Sequence, residues 1–163
     1  MKFDEIATRQ MRCEEIPRVS EIVCAGYHWL AEEAGYTPDQ VAGLIAQRGS
    51  EEAIRLQSKT YQFLVAVRKG YVVGVVGIEG AEVTKLFVDP RSLREGIGRR
   101  LFKAAEDNIM NAGHDTLVLG AFDPSVPFYM AMGMETDYRK TIENGPLRGQ
   151  QNTVMKKSLV RSP

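Results

Sequence analysis

The strongest structural signal in this chain is L-F-V-D-P-R-S-L-R-E-G-I-G-R-R-L, residues 86–101. It begins with apolar residues typical of a strand, which Pro90 ends because proline cannot donate to a sheet ladder. Two glycines one residue apart, Gly96 and Gly98, then lead into a helix. The helix is predicted from apolar residues that recur three or four positions apart: Ile97, Leu101, Ala105, Ile109 and Ala112.

The first turn of this helix is a candidate site for a phosphate or pyrophosphate group. The leading N–H groups of a helix have no partner within it, and the peptide dipoles add about half a positive charge there. Gly96 and Gly98 let a ligand approach the main chain without meeting a Cβ atom. Arg94, Arg99 and Arg100 add cationic side chains, so the stretch predicts an anion cradle.

Two familiar phosphate-binding loops do not fit this stretch. A P-loop requires Lys and Ser or Thr after its last glycine, whereas Arg99 and Arg100 follow Gly98 here. A dinucleotide fingerprint requires a third glycine or an alanine where Leu101 stands. A loop that only caps a helix is the remaining alternative, which the preceding strand and the arginines disfavour.

Composition and charge are those of an ordinary globular chain. With 163 residues, the chain is predicted to form a single domain, residues 1–163, around one core. Lys plus Arg and Asp plus Glu number 21 each, so net charge favours neither nucleic acid nor a membrane surface as a partner. No apolar run is long enough to cross a bilayer, and no signal peptide is recognisable.

The two cysteines and two histidines predict neither a disulfide scaffold nor a metal site. Cys13, Cys24, His28 and His114 lack the spacing of metal ligands. Free cysteines in a chain without a recognisable signal peptide are typical of a reducing compartment, so a cytoplasmic protein is predicted.

The strand pattern predicts a mixed sheet with flanking helices. A short strand at residues 6–11 precedes two helices that begin near Glu14 and Thr37. Three strands joined by tight turns are antiparallel neighbours, at residues 63–68, 71–78 and 81–88. The third strand, the helix from Ile97 and an apolar strand at residues 115–121 form a crossover, which implies one parallel pair. Two closing strands are predicted at residues 135–140 and 152–159.

The strand–loop–helix stretch resembles the central motif of the GNAT family, the Gcn5-related N-acetyltransferases. That motif is an aliphatic residue, four others, Gln or Arg, two others, Gly, one other, and Gly or Ala. Val88 fills the aliphatic position, and Gly96 and Gly98 fill the glycine positions. Leu93 stands where Gln or Arg is usual, with Arg94 next to it, so the departure affects one side chain.

A second stretch resembles the family's other characteristic motif. There a helix carries a Phe-Tyr pair followed by three residues, a glycine and an apolar residue, positions that Phe128, Tyr129, Gly133 and Met134 fill. Asp123 is predicted to cap this helix. Two motifs in the family's order and at its distance are much more specific than either one alone.

The resemblance implies an α+β fold in α/β/α layers. Its sheet would be mixed and mostly antiparallel, with one parallel strand pair that splays apart. Acetyl-CoA would bind as cosubstrate, with its pantetheine arm in the gap and its pyrophosphate on the main chain of the loop. The implied binding residues are Leu86, Phe87, Val88, Leu93, Arg94, Glu95, Gly96, Ile97, Gly98, Arg99 and Phe128.

The resemblance also assigns catalytic residues for direct transfer from the thioester to an amine. Tyr129 occupies the position of the group that protonates the departing CoA thiolate. Glu82 lies six residues before Val88, where several family members carry a catalytic glutamate that accepts the proton of the amine. A solvated strand glutamate is the alternative for Glu82, and both interpretations stay open. Glu79, in the preceding turn, is a weaker candidate for the base.

The predicted function is therefore an acetyl-CoA-dependent N-acetyltransferase whose acceptor is a primary amine of a small molecule or peptide. The alternative is a non-catalytic GNAT-fold module that senses acyl-CoA. In the family the first helices form one wall of the acceptor site, where His28 or Trp29 are candidates for contact with the acceptor, although packing in the core or at an interface is the favoured alternative for both. Acidic residues beside these helices would suit a cationic amine: Glu32, Glu33, Glu51 and Glu52. Dimers are common in the family, so a homodimer is a further expectation.

Overall fold

Residues 86–101 form the predicted strand, loop and helix, and the rest of the chain surrounds them. The computed structural model describes residues 5–159. Within that range the strands are β1 (Ile6–Gln10), β2 (Gln62–Arg68), β3 (Tyr71–Glu79), β4 (Glu82–Val88), β5 (Thr116–Ala121), β6 (Glu135–Thr141) and β7 (Gln151–Ser158). The α-helices are α1 (Ile16–Ala34), α2 (Pro38–Leu44), α3 (Glu51–Gln57), α4 (Ile97–Asn111) and α5 (Val126–Ala131).

One mixed sheet contains all seven of these strands in the order β1-β2-β3-β4-β5-β7-β6. Neighbouring strands are antiparallel except for β4 and β5, which are parallel and connected through α4. The predicted fold class, a mostly antiparallel sheet with one parallel pair and flanking helices, is confirmed. None of the helices in residues 5–159 is long and apolar enough to traverse a bilayer.

Helix α4 covers one face of the sheet through the apolar stripe that predicted it. Ile97, Leu101, Ala105 and Ile109 are each at most 1% exposed. Gly74 on β3 permits this close packing, because a Cβ atom there would lie 2.8 Å from Leu101 Cδ1. The helix is therefore fixed against the centre of the sheet, and its first turn lies beside the end of β4.

Helix α1 covers the opposite face and crosses β4 at a glycine. A Cβ atom on Gly26 would lie 2.0 Å from Phe87 Cδ1, so only glycine allows α1 to approach this strand so closely. Tyr27 packs edge-on against Phe87, with ring centroids 5.1 Å apart. Core side chains thus lie on both faces of the sheet, which confirms the predicted layers.

Of the two helix caps predicted here, the cap of α2 is present and the cap of α5 is not. Thr37 and Gln40 form the capping box predicted for α2, since each side chain accepts a hydrogen bond from the other's backbone N–H. Asp123 does not cap α5, contrary to expectation. It lies within a 3-10 turn and forms an ion pair with Arg139 on β6, at 3.1 Å, because that cation lies beside it across the fold.

Lys85 on β4 is an unusual member of the core because it is only 5% exposed. Its Nζ donates to the Arg48 carbonyl at 2.6 Å and to Gln57 Oε1 at 2.7 Å. It also lies 6.0 Å from the centroid of the Phe63 ring. No carboxylate within residues 5–159 forms an ion pair with it. Burial, and secondarily the charge of Arg48, lower the pKa of Lys85 to about 7.

This lowered pKa predicts pH-dependent stability. The unfolded chain, with an ordinary lysine pKa of ~10.4, binds more protons than the folded chain at pH values between the two pKa values. Burial of Lys85 is therefore most costly below the folded-state pKa, and stability is gained as pH rises above it. Relative to Lys85→Met, wild type should gain on the order of 2 kcal/mol in unfolding free energy between about pH 6 and about pH 9.

Urea denaturation at the two pH values measures this gain. The exposed Lys59 provides the matched control, because the difference in unfolding free energy between wild type and Lys59→Met should not change with pH. A difference between wild type and Lys85→Met that stays constant with pH would contradict the prediction.

Candidate active site

Strands β4 and β5 separate soon after they begin to pair. Their parallel ladder consists of Glu82 opposite Val118, with the Val118 N–H donating to the Ala81 carbonyl at 3.0 Å. Further along, both main chains line one cavity of about 410 Å³, β4 through residues 82–87 and β5 through Gly120 and Ala121. The predicted splay is present, and it leaves one edge of β4 open to a ligand.

A β-bulge in β4 lies at the start of this gap. Val83 pairs with Ile78 and Lys85 with Gly77, so Thr84 is an extra residue on β4. The Thr84 hydroxyl lies where a side chain on Gly77 would stand, 2.6 Å from its Cβ position. Bulges increase the local twist of a strand, which here accompanies the turning of β4 away from β5.

The loop after β4 exposes the groups on which the predicted cradle depends. Arg94 and Gly96 have positive φ angles, 66° and 77°, and these bring the chain into the first turn of α4. Gly96 is the N-cap, and no side chain caps the helix, so its leading N–H groups are not engaged by a capping side chain. Arg94, Gly96 and Arg99 are exposed around this turn, as an anion site requires.

An ion pair fixes the base of the loop. Arg18 on α1 pairs with Asp89, and its Nε donates to the Val72 carbonyl at 3.1 Å. Asp89 Oδ1 accepts a hydrogen bond from the Arg91 N–H at 3.0 Å. Burial raises the pKa of Asp89, but the hydrogen bonds from Arg91 and Arg18 outweigh it and leave that pKa below its usual value. The start of the loop is thereby held against α1 and β3.

Side chains in the cradle differ in what they offer a ligand. Ile97 is buried in the core, and Glu95 forms a 2.6 Å ion pair with Arg68 on β2, so both present mainly their backbone N–H groups to the cradle. Leu93, at the position where the family motif has Gln or Arg, is 57% exposed. The cradle consequently depends on main-chain donors and on the neighbouring arginines.

Gly98 makes room within the protein for Phe128. A Cβ atom on it would lie 3.2 Å from Phe128 Cε2 and 3.7 Å from Val88 Cγ2. Phe128 therefore packs directly on the first turn of α4. The two sequence motifs, whose nearest residues are thirty positions apart, meet at this contact.

Tyr129 lies at the inner end of the cavity. It is 9% exposed, its ring packs against Phe102 and Phe128, and no side chain or backbone group in residues 5–159 forms a hydrogen bond with its hydroxyl. Burial raises the pKa of Tyr129, so the phenol is protonated at neutral pH and its O–H is a hydrogen-bond donor. The helix that carries it is fixed at its end, because the Met132 carbonyl accepts a hydrogen bond from Lys157 Nζ at 2.8 Å.

Glu82 stands on the same cavity, at the point where the strands separate. Partial burial raises its pKa, as does the nearby charge of Glu79, while Arg48 and Lys140 act in the opposite direction. A carboxylate with a raised pKa is a better proton acceptor than an ordinary one. Glu79, the weaker candidate, does not line the cavity.

The opposite wall of the cavity comes from α1, from α2 and from a π-helical turn, Ile45–Gly49. Of the aromatic cluster on α1, Tyr27 lines the cavity, whereas the candidates His28 and Trp29 are exposed and do not. Tyr27 continues the apolar stripe of α1 between Val23 and Leu30, a spacing that could have identified it.

The other residues that line the acceptor side also differ from those that the sequence predicted. The acidic residues proposed for a cationic amine do not line the cavity: Glu32, Glu33, Glu51 and Glu52. Instead, the loop between β6 and β7 closes this side, with Pro146 seated on Gly43 of α2, where a Cβ atom would lie 2.7 Å away. No sequence signal marked that loop as part of a site.

No group of three or more His, Cys, Asp and Glu side chains in residues 5–159 is arranged to hold a metal ion. The site as described thus consists of main-chain donors at α4, an open strand edge, a phenol and a carboxylate. These are the parts that the family resemblance implied for binding of acetyl-CoA and transfer of its acetyl group.

Comparison with solved structures gives the same fold. A GCN5-related N-acetyltransferase from Rhodopseudomonas palustris superposes with a TM-score of 0.81 at 22% identity, over 97% of this chain and 98% of that one. The PaiA N-acetyltransferase of Thermoplasma acidophilum, in complex with coenzyme A, gives 0.74 at 20% identity, over 94% and 99%. A phosphinothricin acetyltransferase of Sinorhizobium meliloti, in complex with acetyl-CoA, gives 0.68 at 18% identity, over 94% and 88%.

Family membership is established at the level of sequence. The family model for the acetyltransferase (GNAT) domain matches residues 32–158, which include both motifs and the strands of the cavity. The resemblance recognised in the two motifs is thereby confirmed: this chain belongs to the GNAT family of acetyltransferases.

Proposed function

We propose that this protein is an acetyl-CoA-dependent N-acetyltransferase that acetylates a primary amine of a small molecule or peptide. The observation that carries the proposal is the single cavity between the diverging strands, which holds both Glu82 and Tyr129. At the far end of β4, the uncapped first turn of α4 offers an anion site. A donor with an anionic group at one end and a thioester at the other would reach from the first turn of α4 to the cavity that Glu82 and Tyr129 line.

The donor would be held mainly by main-chain groups. Its pyrophosphate would accept hydrogen bonds from the leading N–H groups of α4, with Arg94 and Arg99 adding charge. The pantetheine arm would pair with the open edge of residues 86–88, which have no ladder partner on the β5 side. The thioester would then reach the region of Tyr129.

The reaction needs no protein nucleophile. The amine nitrogen forms a bond to the thioester carbonyl carbon, and the C–S bond breaks after a tetrahedral state whose oxyanion a main-chain N–H of residues 86–88 would stabilise. Glu82, directly or through a water molecule, would take the proton of the amine. Tyr129 would donate a hydrogen bond, and then its proton, to the CoA thiolate as the C–S bond breaks.

Retention of both groups favours an enzyme over the alternative, an acyl-CoA sensor without turnover. A sensor needs the cradle and the open strand edge but has no use for Glu82 and Tyr129 in one cavity. Release of free thiol from acetyl-CoA across a panel of amines distinguishes the two functions. A cytoplasmic location, one domain over residues 1–163 and a homodimer remain predictions.

Tyr129→Phe should lower kcat by about 100-fold or more, because the leaving thiolate loses its proton donor. The ring contacts with Phe102 and Phe128 do not involve the hydroxyl, so melting temperature and the Kd for CoA should stay close to wild type. Steady-state thiol release and calorimetric CoA titration measure the two effects. Unchanged turnover would remove Tyr129 from the mechanism.

Glu82→Gln should lower kcat/KM by about 100-fold through loss of the base. In wild type the rate should also fall on the acid side as pH drops through the raised pKa of Glu82, since only the carboxylate accepts a proton. That acid limb should be lost in the variant. Glu79→Gln is the matched control and should retain most activity, and equal losses in both variants would argue against Glu82 as the base.

Gly98→Glu should weaken CoA binding by about 100-fold, because a carboxylate would stand at the anion site. Gly98→Ala is the control for bulk, since its Cβ atom at 3.2 Å requires only a small shift of Phe128. Calorimetric titration with CoA measures both variants, after thermal melting has established that each one folds. Normal CoA affinity in a folded Gly98→Glu variant would mean that the pyrophosphate binds elsewhere.

A further inference from the structure

Two cations and two carboxylates line the cavity besides the buried Lys85. Arg48 and Lys140 stand against Glu82 and Glu143, whereas the Nζ of Lys85, whose pKa is lowered to about 7, donates to the Arg48 carbonyl and to Gln57. An acceptor that carries both an amine and an anion would find an opposite charge for each. The charge of the cavity therefore bears on which class of amine it takes.

Arg48 is the most sharply positioned of these cations. It belongs to the π-helical turn Ile45–Gly49, whose backbone is held by three hydrogen bonds from neighbouring elements. Lys85 Nζ donates to the Arg48 carbonyl at 2.6 Å, and Ser20 Oγ and Cys24 Sγ donate to the Gly49 carbonyl at 2.6 and 3.4 Å. Its backbone is thus fixed without any use of its guanidinium group.

Only some of the hydrogen-bond donors of the Arg48 guanidinium group are engaged by the described part of the chain. One nitrogen, Nη2, donates to the Thr84 carbonyl at 3.2 Å, which holds the group beside β4 near Glu82. No carboxylate in residues 5–159 pairs with it. A guanidinium has five N–H donors in a planar fork that matches an oxyanion, so most of its donors are left for a ligand.

Arg48 is too far from the cradle to serve the pyrophosphate of the donor. Thr84, which holds its guanidinium, lies four residues before Val88 on β4, a separation of about 13 Å along a strand. An anion at Arg48 would therefore belong to the acceptor. Its amine would then lie toward Glu82, at the point where β4 and β5 separate.

Further polar groups suit the same arrangement. Asn152, on the cavity wall, has an Oδ1 atom that is shielded from solvent and has no hydrogen-bond partner within the described part of the chain. Asn152 faces Lys140 across the β6–β7 pair. An oxygen that can accept a hydrogen bond from the N–H of an amine therefore stands beside a second cation. Apolar side chains complete the wall and would enclose an apolar substituent: Leu30, Leu44, Phe122, Ile142 and Leu147.

We propose that the acceptor is a small zwitterionic amine of the amino acid type, whose carboxylate binds Arg48 while its amine lies at Glu82. This inference rests on the proposed acetyltransferase function and narrows its substrate class. The cavity of about 410 Å³ would also receive the thioester end of the donor, so the part left for the acceptor suits a small molecule with one amine, one anion and a modest apolar substituent.

Leucine and leucinamide are matched probes, because they share the amine and the side chain and differ in the anion. Wild type should release thiol from acetyl-CoA with leucine at a higher kcat/KM than with leucinamide. Arg48→Gln should raise the KM for leucine by about 10- to 100-fold and leave that for leucinamide nearly unchanged. Comparing the leucine-to-leucinamide ratio between wild type and variant cancels the intrinsic reactivity of each amine.

Two variants separate ligand binding from a structural role of Arg48. Arg48→Lys keeps the charge and should recover part of the preference for leucine. Arg55→Gln removes an exposed arginine outside the cavity and should change neither KM. A purely structural role of Arg48 would affect leucine and leucinamide equally, and that result would overturn the proposal.

A binding measurement keeps this inference separate from the acetyltransferase function. Calorimetric titration of the CoA-loaded protein should give a leucine affinity about 10- to 100-fold above that for leucinamide, lost in Arg48→Gln. Equal affinities would overturn the zwitterion proposal even if other amines are acetylated. Preferential leucine binding without thiol release from any amine would instead overturn the acetyltransferase function.

Discussion

The end of the β4–β5 ladder is the constraint on which the site depends. Buried backbone N–H and C=O groups need partners, and those of β4 lose theirs on the β5 side after Glu82. The fold tolerates this because the gap is open to solvent, or to a ligand with its own amide groups. A fully paired sheet would be more regular, but it would leave no cavity and no strand edge for a donor.

The surrounding contacts hold this gap open without entering it. On one face, α1 is seated on β4 at Gly26 and paired with Asp89 through Arg18. On the other face, Lys157 pairs with the buried Glu106 of α4 and donates to the end of α5. Both walls are thus held by partly buried polar contacts, and the contact with the end of α5 holds the helix that carries Tyr129.

Burial shifts the ionisable groups of the cavity toward their neutral forms. It raises the pKa values of Glu82 and Tyr129 and lowers that of Lys85, as expected when charged forms lose solvent. The raised pKa of Glu82 suits a base, and the lowered pKa of Lys85 lies near neutral pH, as is common at functional sites. Under the proposed function, the guanidinium group of Arg48 is the cation that orients the acceptor.

The sequence by itself determined the strands, the helices and the two motifs, because periodicity, tight turns and glycine spacing act between near neighbours in the chain. It also predicts the anion cradle, which is one continuous loop and helix turn. Only the tertiary structure brings together the wall proposed for the acceptor, since Lys85 reaches Arg48 across 37 positions and Asn152 lies on β7. Such contacts depend on how helices pack on the sheet, and no local pattern encodes that packing.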